Sequence, residues 1–129
     1  MRIGEFAEST GISKDTIRYY EKMDLLHPKI KNKHRDYSNQ DINIIDTILK
    51  LKQTGFSLRE IKMLFEWSKN TDQNKRLTNE EIQNILQIKE TFQNKYVQMV
   101  QRENNIKQIK QVLLKADYKI EQLLERNKG

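Results

Sequence analysis

Cysteine is absent from the chain. That removes disulfides, thiolate metal sites, thiol redox switches and cysteine nucleophiles together. There is one proline and there are four glycines in 129 residues. So few breakers among many good helix formers predict an all-α protein with one short interruption. Apolar runs are only a few residues long, which excludes a membrane-spanning helix, so no membrane partner is expected. The opening Met-Arg-Ile-Gly-Glu lacks the hydrophobic stretch of a secretory signal, and the expected compartment is the cytoplasm. The two histidines, His27 and His34, have no ligand-like spacing, so no metal and no cofactor are expected. With no nucleophile–base pair or phosphate loop either, the chain does not read as an enzyme.

What is present is charge: 33% of residues are charged, with a net charge of +6 and a pI near 9.5. A basic balance permits binding to polyanions without requiring it. Residues 1–70 carry 13 Lys and Arg against 10 Asp and Glu, so placement matters more than sum. Ile3, Phe6, Ala7 and Thr10 recur at helical spacing and Gly11 interrupts them. Ser13 then offers an N-cap to a second helix, "KDTIRYYEKMDLL", expected to finish over Asp24 to Leu26 before His27-Pro28. Helix, tight Gly-containing turn and helix make a helix-turn-helix. Ile17 faces the core of that second helix, with Tyr20 and Asp24 close to the same side. Lys14, Asp15, Arg18, Tyr19 and Lys22 point away, giving a basic and aromatic outer face.

"KIKNKHRDYS", Lys29 to Ser38, alternates poorly and concentrates Lys29, Lys31, Lys33 and Arg35. It reads as a small β-ribbon or wing, or else as a solvated loop. Ser38 to Asp41 resembles a capping box before Ile42, Ile45, Ile48, Leu49 and Leu51, in a helix that Gly55 ends. Ser57 to Glu60 is a second box, opening a helix with Leu58, Ile61, Leu64 and Phe65 apolar. The polar stretch Ser68 to Lys75 reads as a linker or frayed end. Thr78 to Glu81 is a third box, so the adjacent Glu80 and Glu81 are better explained by capping and the helix dipole than by acid–base chemistry.

The last helix keeps a seven-residue beat. Ile85, Phe92, Met99, Ile106, Leu113 and Ile120 share one position, and Ile88, Lys95, Arg102, Ile109, Ala116 and Leu123 follow three residues later. This predicts a coiled coil with its second seam broken at Lys95 and Arg102. At about 1.5 Å per residue the helix is about 70 Å long, more than a small head can cover. A second copy is the economical partner. The expected organisation is a winged helix-turn-helix head over 1–70, a linker over 71–77 and a dimerisation helix over 78–127. The dimer seam is then Ile85, Ile88, Phe92, Met99, Ile106, Ile109, Leu113 and Ile120.

"IGEFAESTGISKDTIRYYEKMDLL", then "RDYS" and "TGFSLREI", resemble the MerR family of bacterial transcription regulators from Ile3 to about Trp67, in family order and spacing. The resemblance implies a winged helix-turn-helix that reads double-stranded DNA. It also implies an antiparallel coiled coil making a homodimer, a distorted pseudo-palindromic promoter site, and RNA polymerase as a further partner there. It assigns Arg18, Tyr19 and Tyr20 to the recognition helix, Arg35 and Tyr37 of the R-x-Y pattern to the wing, and Lys52 to backbone contact. Lys14 and Thr16, in the first turn of the recognition helix, would meet base edges; Ser13 at its N-cap is a further candidate DNA-binding residue, and Lys33 would serve the wing. Tyr20 is equally a core residue by helical geometry, Tyr37 an anchor of the wing, and Lys52 a solvated lysine. Many members bind metals through cysteines at the far end of the dimer helix, or append a drug-binding domain. Neither is expected here, and the sequence names no effector. The other readings are an architectural or excisionase-like DNA-binding protein, against which the long dimer helix counts, and a helical adaptor, against which the basic and aromatic face counts.

Overall fold

The computed structural model describes residues 1–69 and 74–128. The chain divides into two compact units, Met1–Gln73 and Asn74–Gly129. The first holds α1 (Ile3–Thr10), α2 (Lys14–Lys22), β1 (Lys29–Lys31), β2 (His34–Asp36), α3 (Asn39–Gln53) and α4 (Leu58–Trp67); the second holds α5 (Asn79–Arg126). The fold is therefore mostly helical with a two-stranded wing. Of the expected linker, residues 71–73 lie outside the described residues, as does Gly129.

Gly11 ends α1 at φ 75°, a left-handed conformation that glycine adopts without steric cost, and its N–H reaches the Ala7 carbonyl. Two residues later the Ser13 hydroxyl accepts from the Thr16 N–H at 3.1 Å and starts α2. The end of α2 differs from expectation, because the helix stops at Lys22 and does not run on to Leu26. Asp24 sits at φ 64°, and the Leu25 N–H bonds the Tyr20 carbonyl at 3.0 Å. This is the Schellman pattern, with aspartate in the place usually given to glycine. A continued helix would separate Leu25 and Leu26 by about 100°. The left-handed turn instead sends both into the core, at 2% and 1% exposure, and leaves Asp24 exposed.

β1 and β2 pair antiparallel, with Lys29 opposite Asp36, Ile30 opposite Arg35 and Lys31 opposite His34. The loop between them is only Asn32-Lys33, at φ 51° and 64°. Two positive φ values in a two-residue hairpin define a turn whose twist matches the strands. Ser38 then caps α3 reciprocally with Asp41, and Ser57 caps α4 with Glu60. Phe6, Ile17, Tyr20, Leu25, Leu26, Tyr37, Ile45, Ile48 and Ile61 form the buried core, drawn from every helix of the head and from the end of the wing. Burying an apolar side chain of this size stabilises by about 1.5–3 kcal/mol.

In the second unit, Thr78 and Glu81 make another reciprocal cap, and α5 then continues for 48 residues. Ile85, Ile88, Phe92 and Met99 are partly covered. Farther along, Ile106, Ile109, Leu113 and Ile120 are 59%, 60%, 63% and 56% exposed. Among the described residues no helix is long and apolar enough to cross a membrane.

Candidate nucleic-acid interface

The outward face of α2 is as its periodicity predicts. Lys14, Asp15, Arg18, Tyr19 and Lys22 line the outside of the helix, while Ile17 and Tyr20 are buried beneath them. Arg18 lies 3.5 Å from Asp15, both well solvated, so this pair restrains the guanidinium weakly. Ser13 is exposed at the cap, and the half-buried Thr16 keeps its hydroxyl 2.8 Å from that of Ser13.

Between α2 and the wing lies a groove of about 560 Å³. Arg18 and Lys22 line it from α2, Lys33, His34 and Arg35 from the wing, and Arg2 and Ile3 from the start of α1. Five Arg and Lys side chains thus share one concave surface with a single carboxylate, that of Glu21. Clefts lined by one sign of charge concentrate counter-ions, and Arg and Lys side chains are the usual donors to phosphate oxygens.

Helical spacing assigns Glu21 no role, yet this residue organises the surface. One carboxylate oxygen accepts from Arg35 Nε at 2.6 Å, and the other accepts from the Tyr37 hydroxyl at 3.0 Å. The bond and the charge of Glu21 raise the pKa of Arg35, so its cation is held more firmly still. The only sequence trace of Glu21 is its place in "RYYE", one helical turn beyond Arg18. Its partners are 14 and 16 residues away, a distance no helical period reports.

Tyr20 and Tyr37, which the family resemblance assigns to the contacting surface, lie instead in the core, at 2% and 1% exposure. Tyr37 stacks on Phe6 with ring centroids 4.4 Å apart and planes 11° apart, joining the wing to α1. Burial, then the hydrogen bond and negative charge of Glu21, push its phenol from 10.0 up to about 12. Next to it the Met1 amino group lies 2.8 Å from Asp36 Oδ1 and donates to the Tyr37 carbonyl. That contact holds the Asp36 carboxyl below the usual range. Tyr19, 49% exposed, is the tyrosine of α2 that faces solvent. Lys52 is exposed in the last turn of α3, apart from the groove-lining set.

A second hollow, of about 550 Å³, has Leu25, Ile44 and Phe65 among its walls, with Asp24 and His27 at its edge. The imidazole of His27 bonds Asp24 at 2.5 Å and lowers the pKa of that carboxyl.

The sequence profile described as "MerR HTH family regulatory protein" matches residues 1–67. The mercuric resistance operon regulatory protein of Bacillus cereus is 42% identical over 65 residues, covering 49% of this chain and 49% of that protein. The chain thus spans about half the length of the curated relatives it matches. Among solved structures, HiNmlR, a MerR family regulator lacking the sensor domain and bound to promoter DNA, is 24% identical. It aligns with a TM-score of 0.56 over 84% of this chain and 76% of that one, a likeness of fold. A MerR family transcriptional regulator from Bacillus thuringiensis is 26% identical, with a TM-score of 0.50 over 89% and 97%.

Proposed function

The chain belongs to the MerR family of helix-turn-helix regulatory proteins, and from that premise we propose that it is a DNA-binding transcription regulator. It grips a pseudo-palindromic promoter site as a homodimer and acts by distorting the DNA between its two heads. The observation that carries this reading is the groove, where Arg18 and Lys22 of α2 meet Lys33 and Arg35 of the wing on one surface. A recognition helix flanked by a basic ribbon can enter a major groove while the ribbon holds the neighbouring backbone. Arg18, exposed beside Lys14 and Tyr19, would reach base edges. Lys33 and Arg35 supply phosphate contacts, and Lys52 a further one at the edge of the head.

The homodimer rests on the apolar beat of α5, whose members from Ile106 to Ile120 are more than half exposed in the single chain. A second α5 removes that surface from water. RNA polymerase is the partner that would read the distorted promoter, and the cytoplasm is where it would be met. The test is a gel shift with the DNA upstream of the protein's own gene. A retarded band that an excess of random duplex does not displace is expected. Equal competition by random duplex would leave only non-specific binding and refute a promoter-specific regulator.

A further inference from the structure

We propose that Glu21 is the positioning residue of this interface: its carboxylate, shared between Arg35 and Tyr37, fixes the wing on α2 and aims the Arg35 guanidinium at the DNA backbone. The proposal rests on the DNA-binding reading above. Its starting point is a conflict of sign. A carboxylate in a groove of cations repels phosphate, and within a Debye length of roughly 8 Å that repulsion is felt. By charge alone, Glu21 weakens DNA binding.

Its bonds describe a different service. The Glu21 side chain is 13% exposed, whereas that of Arg35 is 57% exposed, so the carboxylate is the buried half of the pair. The bond runs through Nε, which leaves the two Nη groups at the outer end of the fork, where a phosphate can be met by two parallel bonds. A bond at Nε fixes the plane of the guanidinium, and a preset plane saves conformational entropy when the ligand arrives. The second oxygen holds the Tyr37 hydroxyl, and Tyr37 is itself stacked on Phe6 of α1. Glu21 therefore ties α2 to the wing through two separate side chains, one buried and one at the surface.

Charge removal and positioning make opposite predictions for Glu21→Gln. Removing the charge alone tightens binding to every duplex. Without the positioning, a phosphate contact is lost, so the specific site and random duplex both weaken. The experiment measures anisotropy of labelled duplexes, one from the protein's own upstream region and one random, with wild type, E21Q, R35A and the double variant. Expected is a weakening of roughly fivefold per head at the specific site for E21Q, a comparable weakening on random duplex, and almost no further weakening when E21Q is added to R35A. Unchanged or tighter specific binding by E21Q, or the same weakening in the R35A background, overturns the proposal.

Two further measurements keep it exposed if E21Q proves unstable. Arg35→Lys preserves the charge and removes the planar fork, so it should weaken specific binding as E21Q does; wild-type binding by R35K overturns the proposal. In the DNA-free wild type, the Arg35 Nε–H should give an NMR signal protected from solvent exchange. An unprotected signal in a protein that binds DNA defeats this proposal alone, while a wild type that binds no duplex defeats the regulator reading and this one with it.

Discussion

A tyrosine without access to water is an acid that the fold keeps protonated, and Tyr37 is such a residue at 1% exposure. Its folded-state pKa, about 12, stands above the value of 10.0 expected once the chain unfolds. Its contribution is fully present below pH 10, and fades as pH rises toward 12 because the unfolded state gives up the proton first. The denaturation midpoint should fall more steeply over that interval in wild type than in Tyr37→Phe, as a urea titration at stepped pH will measure; parallel curves would contradict the buried phenol. Arg18 and Arg35 are proposed to separate by role. Arg18→Ala should cost roughly 1–3 kcal/mol at the specific site if it reads a base. Arg35→Ala should weaken all duplexes more evenly, reducing the salt slope by about one for each phosphate no longer neutralised. Binding isotherms at several salt concentrations check both. Helical period alone places Arg18, Tyr19 and Lys22 outward, because i, i+3 and i+4 are geometric facts of the helix. It cannot find the Glu21–Arg35 pair, whose two members meet only once the wing folds back on α2.

At the scale of elements, starts are easier to read than stops. Ser13, Ser38, Ser57 and Thr78 each cap the helix that follows, through bonds that reach only three residues. The end of α2 is less legible because an aspartate, not a glycine, takes the left-handed position at residue 24. The wing repeats that choice. Lysine stands at position 33 with φ 64°, where a two-residue hairpin favours glycine. Lys33→Gly should therefore raise stability by roughly 0.5–1 kcal/mol while weakening DNA binding through the removal of one cation. Melting curves and binding assays on the same variant read the two opposed effects, and weaker folding would refute the strain argument. For α5, Met99→Asp together with Ile106→Asp should yield monomers in sedimentation, since an unpaired buried carboxylate costs several kcal/mol. A wild type that sediments as monomer at micromolar concentration would sink the dimer proposal.

For the whole molecule, two heads joined through paired α5 helices would present two recognition surfaces at one fixed separation. DNA must place its half-sites on the same face or bend until it does, at a cost of roughly 1–6 kcal/mol. Flexible pyrimidine–purine steps near the dyad should therefore bind better than stiff A-tracts. Inserting or deleting two base pairs at the centre should abolish tight binding, and equal affinity across the altered spacings would contradict a rigid pair of heads. In the proposed dimer, the exposed apolar stripe of α5 would also make the amount of protein a control variable. Four of its members, from Ile106 to Ile120, are each more than half open to water in the single chain, so pairing and stability would rise together with concentration. Well below the dissociation constant of such a pair, the active species would grow with the square of the chain supply. A twofold change in synthesis would then move promoter occupancy by up to about fourfold, and the regulator's dose-response would be steep without any small molecule.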